Sequence, residues 1–474
     1  MAKIHSMMDV GKRSLQNSQT ALQTVGHNIA NKSTEGYSRQ RVEIKANVPV
    51  DSGQVRIGMG ARTGAVTRIN NPYLEKQITS EGNQLGYHES RAGALGRVEQ
   101  IYNEQVNKGL NKSMGEFFNA YREFSSSPEN MATRTLVRDT SFHLTQDFAR
   151  VSKNLKTIQN DLDQQIKANI EKVNEYTREV ANLNEKIVQI EVAGATANDE
   201  RDRRELLVKK IGEIINIKAV EGDKGGISIR AGNSSFLVSS TEATKLMVAP
   251  TDTNSARGEV HLGIFFQPSA STDPMNITQE ITGGNIGGML NVRNETIVNA
   301  LDDVDFLAHS FADSVNEIHR KGFDLRGKPG GDFFEIGGTL NAAQDLALNV
   351  EIAKDPAKIV AAAMPGGAGD NRIANEMSQL QFQKLLDDGT STFDEYYNAL
   401  VGKIGVAADR ANSKFESQKN MVSQLNNLRD SISGVSLDEE ATKMIEFQKS
   451  FDASARLIRV ADEMFDTILS MKRM

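Results

Sequence analysis

The sequence has no cysteine, so neither a disulfide staple nor a thiolate-bound metal can hold the chain together. This suits a protein that works outside the cell yet has to remain unfoldable beforehand, although many cytosolic chains share it. Tryptophan is absent too, an uncommon lack at this length that has no single cause. Long apolar stretches are missing. The most apolar run, residues 359–364, falls far short of the roughly 20 residues of a membrane-spanning helix, and no membrane insertion is expected. Met1 to Ser6 lead straight into a periodic pattern without an apolar core or small-residue cleavage site. No cleavable signal peptide is therefore expected, and export would need a dedicated machine. An excess of one charge is also lacking. The 55 Lys+Arg and 62 Asp+Glu are interspersed for a net charge of −7, which leaves no electrostatic footprint for nucleic acid.

What the chain does have is a matching pair of heptad stripes at its two ends. Ile4, Met8, Gly11, Leu15, Ser18, Leu22, Val25 and Ile29 recur at alternating spacings of four and three, as do Met444, Phe447, Phe451, Ser454, Ile458, Ala461, Phe465 and Ile468. Each large apolar side chain left unburied forgoes roughly 1.5–3 kcal/mol, so both stripes need partners. The small seam residues Gly11, Ser18, Ser454 and Ala461 permit close approach but bury little. That points to packing among many copies, with Ile4, Met8, Leu15, Leu22, Val25, Ile29, Met444, Phe447, Phe451, Ile458, Phe465 and Ile468 as the assembly interface. Ordering an isolated end costs about 1–2 kcal/mol per residue. Mobility is therefore expected before about Asn47 and after about Ser436.

At 474 residues the chain exceeds the size of one core, so several domains are expected. The first helix should stop near Asn31, where a turn-forming cluster ends in Gly36. Residues 38–44 and 58–69 read as extended, and helical periodicity resumes over 73–124. Ser127 and Pro128 fit an N-cap and first helical position. From Val151 to Ile190 the apolar spacing predicts about 40 residues of helix, on the order of 60 Å. Alternating Ile227, Ile229, Phe236 and Val238 mark a small β-rich region. Helix returns over 289–319 and again over 372–430. Ser436, Leu437, Asp438 and Glu439 form a capping box that starts the last helix.

The pattern gives a mainly α fold with a smaller β domain: a long antiparallel helical bundle, terminal coiled-coil helices and a β-rich outer domain. The expected division is 1–46 with 436–474 as the terminal coiled coil, 47–217 with 283–435 as the helical bundle with short β segments, and 218–282 as the outer β domain.

Motifs for chemistry fail one after another. His88-Glu89-Ser90-Arg91-Ala92 lacks the second histidine of a zinc peptidase helix. His309 and His319 stand ten positions apart and read as solvated or core-edge side chains. Asp302, Asp303 and Asp305 lack the spacing of a calcium loop, and read as a polar helix face. The run Arg201, Asp202, Arg203, Arg204, Glu205, Lys209, Lys210 reads as a solvated helix face. Glycines at 58, 60, 330 and 331 match neither a dinucleotide fingerprint nor a P-loop. No catalytic, cofactor-binding or metal residue is assigned, and the chain is read as a non-enzyme.

Two terminal motifs carry a family resemblance. Ala21, Leu22, then Asn28-Ile29-Ala30-Asn31 and Thr34-Glu35-Gly36-Tyr37-Ser38-Arg39-Gln40 resemble the N-terminal signature of bacterial flagellar axial proteins of the rod, hook and hook-associated types. Residues 431–440, which include Gly434, Leu437, Asp438, Glu439 and Glu440, are followed by Met444, Ile445, Gln448, Phe451 and Arg456. This run is similar to the C-terminus of the hook-associated protein 1 family, the first hook-filament junction proteins. Residues 197–207, 283–293 and 315–324 resemble interior segments of that family. Glu35 stands where the family usually has proline, and Phe451 where it usually has tyrosine. Many members are longer, with a further outer domain.

The resemblance implies a structural subunit joining hook to filament and required for filament assembly. It further implies a homo-oligomeric ring at the hook tip, in contact with hook protein and the second hook-filament junction protein. Export through the flagellar type III apparatus, a cytosolic export chaperone on the C-terminal helix and an extracellular location on the flagellum follow in the same way. The alternatives are a hook or distal-rod axial protein and, from another class, a cytosolic coiled-coil scaffold or signalling protein.

Overall fold

The computed structural model describes the chain except residues 1, 53–54, 103–108, 223–224, 233–234, 252–256, 258–259, 269–271, 368 and 473–474, and the side chains of 2–4, 52, 55 and 472. In chain order it runs α1 (Ala2–Ala30), β1 (Gln40–Ala46), β2 (Val50–Ser52), β3 (Val55–Ile57), β4 (Ala61–Arg68), α2 (Pro72–Tyr102), α3 (Leu110–Ser126), α4 (Met131–Val192) and α5 (Asn198–Ile214). The β-rich part follows as β5 (Ile217–Glu221), β6 (Ile227–Ala231), β7 (Ser235–Ser239), β8 (Glu242–Ala243), β9 (Leu246–Thr251), β10 (His261–Phe266) and β11 (Met275–Asn276). Then come α6 (Gly284–Asn291), α7 (Ile297–Arg320), β12 (Phe334–Glu335), α8 (Ala342–Asp345), β13 (Ala347–Leu348), α9 (Val350–Lys354), α10 (Arg372–Gln379), α11 (Phe393–Ser433) and α12 (Leu437–Lys472).

The spine is α4, 62 residues long and so about 90 Å from end to end. Its apolar row from Val151 through Ile187 is buried as the spacing requires. It begins earlier than the periodicity suggested. Ser127 is the C-cap of α3, its N–H bonded to the Phe124 carbonyl at 3.1 Å, and the cap of α4 is Asn130, whose side chain accepts from the Ala132 N–H. Asparagine caps as well as serine does, and the fixed φ of Pro128 serves the intervening turn. The expected helix over 289–319 is present and runs through a π turn at Val292–Thr296, where Arg293 pairs with Asp163. The block over 372–430 is interrupted. Asp387 and Asp388 take positive φ, and α11 then opens on a capping box between Thr392 and Glu395.

At one end of the bundle Phe117, Phe118, Tyr121, Phe311, Phe333 and Phe334 are sealed from solvent, with Phe117 and Phe311 edge to face at 5.2 Å. Such a pair contributes about 0.5–1.5 kcal/mol beyond the area it buries. The β-rich part is a four-stranded antiparallel sheet ordered β5-β6-β7-β8 and a three-stranded sheet ordered β11-β10-β9. Ile229, Leu237, Val238 and Ile264 join the same apolar cluster as α4.

That cluster takes no residue from α1 or α12. The two terminal helices instead pack on each other in antiparallel, along a seam that runs from His5 beside Phe465 to Asn28 beside Glu440. Strands β1 and β4 form an antiparallel ribbon along α1. Asn17 donates to the Ala61 carbonyl at 2.9 Å and accepts from the Thr63 hydroxyl, also at 2.9 Å. The ribbon crosses the expected boundary at 46/47, because a strand hydrogen-bonded to β1 has to follow it along α1. The ends are helical and docked on each other in the structure: pairing buries one face of each helix, and a polar knot at their root ties them.

Candidate functional site: the root of the terminal helices

Tight approach of α1 to α12 comes from small residues. A Cβ on Gly11 would lie 2.7 Å from Ile458 and 2.9 Å from Leu457. Ser454 donates to the Ser14 hydroxyl at 2.7 Å and Ser18 to the Ser450 hydroxyl at 3.1 Å, while Ala21 and Ala461 are buried. Of the large residues expected on the seam, Val25 is buried, and Met8, Leu15, Leu22, Ile29, Phe447, Phe451, Ile458 and Phe465 are half-buried. Met444 and Ile468 are exposed, at 36% and 40%. The side chain of Ile4 lies outside the described residues.

The signature residues converge on one buried polar knot. The Asn28 amide donates to the Gln40 carbonyl at 2.9 Å and to the Glu440 carboxylate at 2.8 Å. Its oxygen accepts from the Tyr37 hydroxyl at 2.8 Å and from the Gln40 N–H at 2.9 Å. Both functions of the amide are thus fully used in a site that is 1% exposed. Arg39 reaches Glu440 through Nε at 2.8 Å and Glu439 at 2.7 Å, and its N–H bonds the Ser433 carbonyl. Glu439 therefore serves an ion pair beyond the helix cap it was assigned. Arg429 ties the end of α11 to the same turn, donating to the carbonyls of Gly36 and Tyr37. Burial and the carboxylates of Asp199, Asp202 and Glu440 push the Tyr37 hydroxyl well above its ordinary pKa, so it remains a donor.

The turn itself demands glycine at position 36, where φ is +81° and Leu206 lies 3.1 Å from where a Cβ would be. Asn31 bonds back to the His27 carbonyl and orders the turn. Gly434 links α11 to α12 where a Cβ would overlap the Asp430 carbonyl. Leu437, Asp438 and Gln448 lie on the exposed side of α12, outside the knot.

Sequence reasoning missed the second half of this site. The run from Arg201 to Lys210 is no solvated face: Asp202 and Arg204 are 5% and 1% exposed. Asp202 accepts from the Ser38 N–H and from Arg68, each at 2.8 Å, and Lys209 pairs with buried Glu75. Burial raises the Asp202 pKa in spite of its partners. The alternation of charge in that stretch was the available signal, and it reads equally well as a solvated helix. The other titratable residues are also more buried than expected. His319 is enclosed, its Nδ1 bonded to the Gly331 carbonyl at 2.7 Å and its Nε2 accepting from the Val360 N–H at 3.1 Å. Asp305 is buried, binds Arg257 and caps the N–H groups of Asn341 and Ala343. The reason is common to both: hydrogen bonds from distant loops satisfy these groups, which no local pattern reveals. His309 is half-buried beside Asp313, at the edge of the core.

A cavity of about 720 Å³ opens between the 32–39 turn, α2, α5 and the start of α12. Most of the charges around it are already paired, as Lys210 is with Glu35 at 2.9 Å. Among the described residues no group of three or more histidine and carboxylate side chains could hold a metal. No helix among them is long and apolar enough to cross a membrane.

A family model described as the flagellar hook-associated protein FlgK helical domain matches residues 95–334, just over half of the chain. The chain belongs to the FlgK family. A second model, the C-terminal segment of the flagellar basal body rod FlgEFG proteins, matches residues 429–471, which hold Arg429, Ser433 and Glu440 of the knot. Flagellar hook-associated protein 1 of Bacillus subtilis is 27% identical over 98% of this chain and 97% of its own length. The protein of that name from Escherichia coli is 23% identical over 98% of this chain and 100% of its own length. That alignment spans 552 positions, so the Escherichia coli relative carries segments this FlgK-family chain lacks. The solved flagellar hook junction protein FlgK from Burkholderia pseudomallei shares the fold, with a TM-score of 0.68 over 75% of this chain and 100% of that one at 15% identity.

Proposed function

We propose that this chain is a structural subunit of the bacterial flagellum that forms the junction between hook and filament, and that it acts by assembly through its terminal helix pair. The observation that carries the reading is the incomplete burial of that pair. With α1 and α12 docked and locked at their root, Met444, Ile445, Val460, Met464, Ile468 and Leu469 are still 36–59% exposed. Among the described residues no further element covers them, and neighbours in a ring at the hook tip would.

In this reading the outward face of α12, with Met8, Leu15, Leu22, Ile29, Phe447, Phe451, Ile458 and Phe465 completing the seam, meets other copies of the chain. Hook protein lies on one side of the ring and the second hook-filament junction protein on the other. The protein is extracellular, exported through the flagellar type III apparatus, with a cytosolic chaperone shielding α12 before export. It performs no catalysis. The working division is 1–46 with 436–474 for assembly, 47–217 with 283–435 for the helical bundle and 218–282 for the outer β part, with the β1–β4 ribbon bridging the first two. A hook or distal-rod role draws support from the match over 429–471, but the 62-residue α4 favours the junction role.

Electron microscopy of a strain lacking the chain tests the proposal, with hooks that bear no filament and flagellin shed into the medium as the expected result. Intact filaments in that strain refute it. Leu22→Asp or Phe451→Asp should leave the bundle folded and abolish incorporation. Filaments built by either variant would show that the seam is not the assembly surface.

A further inference from the structure

Helix α5 touches two separate parts of the molecule with two adjacent stripes of its surface. One stripe faces the root of the terminal helices. Asp199 accepts from the Gln40 side chain at 2.7 Å, Asp202 from the Ser38 N–H and Arg68, and Glu205 from Arg68 at 2.6 Å and Asn70 at 3.0 Å. Leu206 packs under Gly36 on the same side. The other stripe faces the β5–β6 hairpin and the C-terminal end of α4, which carries Asn184 and Glu191. Arg201 joins Glu191 and Glu221, each at 2.6 Å. Arg204 donates to the Asn184 side chain at 2.9 Å, to the Gly225 carbonyl and to Glu221 at 3.1 Å. Asn184 in turn bonds both the N–H and the carbonyl of Ile227 at the start of β6.

The acidic side chains at 199, 202 and 205 recur every three residues, so they share a helix face, and the arginines at 201 and 204 form the neighbouring row. No apolar layer separates the two sets. Within them Asp202 and Arg204, two positions apart on one rigid helix, are the most buried. A rigid helix held by directional, charge-assisted bonds on both sides cannot shift at one contact without straining the other.

We infer that α5 is a coupling helix, whose acidic row grips the root of the terminal helices and whose basic row grips the β-hairpin, so that opening either contact loosens the other. The shared segment over 197–207 then has a mechanical purpose. A displacement of the outer β part, by a neighbour or by load, changes how firmly the terminal pair is held. The inference draws on the proposed assembly role only for that consequence. The two can fail separately, because coupling is read on the soluble full-length chain and assembly on filaments.

Residue-resolved hydrogen exchange on the full chain tests it, with one variant on each side and neither in the apolar cluster. Glu221→Gln weakens the hairpin grip, and the reporters are the amides of Ser38 and Gln40 at the root. Arg68→Gln weakens the root grip, and the reporter is the amide of Ile227. Coupling requires each variant to speed exchange at the remote reporter by about threefold or more, in both directions, while amides in α3 and α7 keep their rates. Acceleration confined to the mutated side overturns the inference, as does a one-way effect, because linkage is reciprocal. So does an equal rise in α3 and α7, which would report general loosening instead of transmission.

Discussion

Replacing Asn28 with alanine is the sharpest test of the knot. The substitution removes four hydrogen bonds at once and strands four groups: the Gln40 N–H, the Gln40 carbonyl, the Tyr37 hydroxyl and one oxygen of the buried Glu440 carboxylate. An orphaned buried polar group costs about 1–3 kcal/mol, and a charged one more. Water entering the vacated space re-satisfies one or two of them, which leaves a net loss of about 4 kcal/mol. That is close to a thousandfold in an equilibrium constant. Because the main apolar cluster includes no residue of α1 or α12, the loss should fall on docking of the terminal pair and spare the bundle. Hydrogen exchange of the soluble chain reads both parts. Amides of α1 and α12 should lose most of their protection while those of α3, α4 and α7 retain theirs. Unchanged protection in the terminal helices, or a bundle that loosens in step with them, would refute the argument. Asn28→Asp should be no milder than alanine, since it places a second carboxylate against Glu440.

The other expectations concern the bundle and the turn. Burial holds His319 neutral, with its pKa pushed down to about 4, whereas the unfolded side chain titrates near its ordinary value of about 6.5. Between those values the unfolded chain binds the extra proton, so stability falls as pH drops from about 6.5 to 4, by about 3 kcal/mol in all, and changes no further below that. Urea titrations across this range should show the fall, with a shallower dependence in His319→Asn; equal slopes would argue against it. In Gly288→Ala the new methyl would overlap the Tyr87 carbonyl where α6 crosses α2, so the urea midpoint should drop by the equivalent of about 1–3 kcal/mol. Gly36→Ala imposes a positive φ on a residue with a side chain and crowds Leu206. It should cost about 1–2 kcal/mol, measured as faster exchange at Tyr37 and Ser38.

How much was legible in the sequence follows from the range of the forces involved. The terminal helices and α4 could be read because a repeating apolar row is a local signal of a buried face, and it fixed their type and rough extent. The start of α4 was misread because Ser127-Pro128 and Asn130 are competing caps, and only packing decided between them. The signature residues were recognisable as a set, yet their chemistry was not: Asn28 acts on Gln40 and Glu440, and nothing near position 28 announces a partner near position 440. The same limit made Asp202, Arg204, Asp305 and His319 look solvated. Each is held by backbone groups or side chains that chain topology delivers from elsewhere, and an interspersed charge pattern carries no trace of that delivery.

The knot joins positions 412 apart in sequence, and this gives it a property that no local helix cap possesses. A polypeptide that ends early, before Glu440, keeps Asn28 and Arg39 but has no carboxylate for them to hold. Its first helix is then left undocked and open to proteases. Synthesis past position 440 is thereby registered at position 28, through one acidic group made long after its partner.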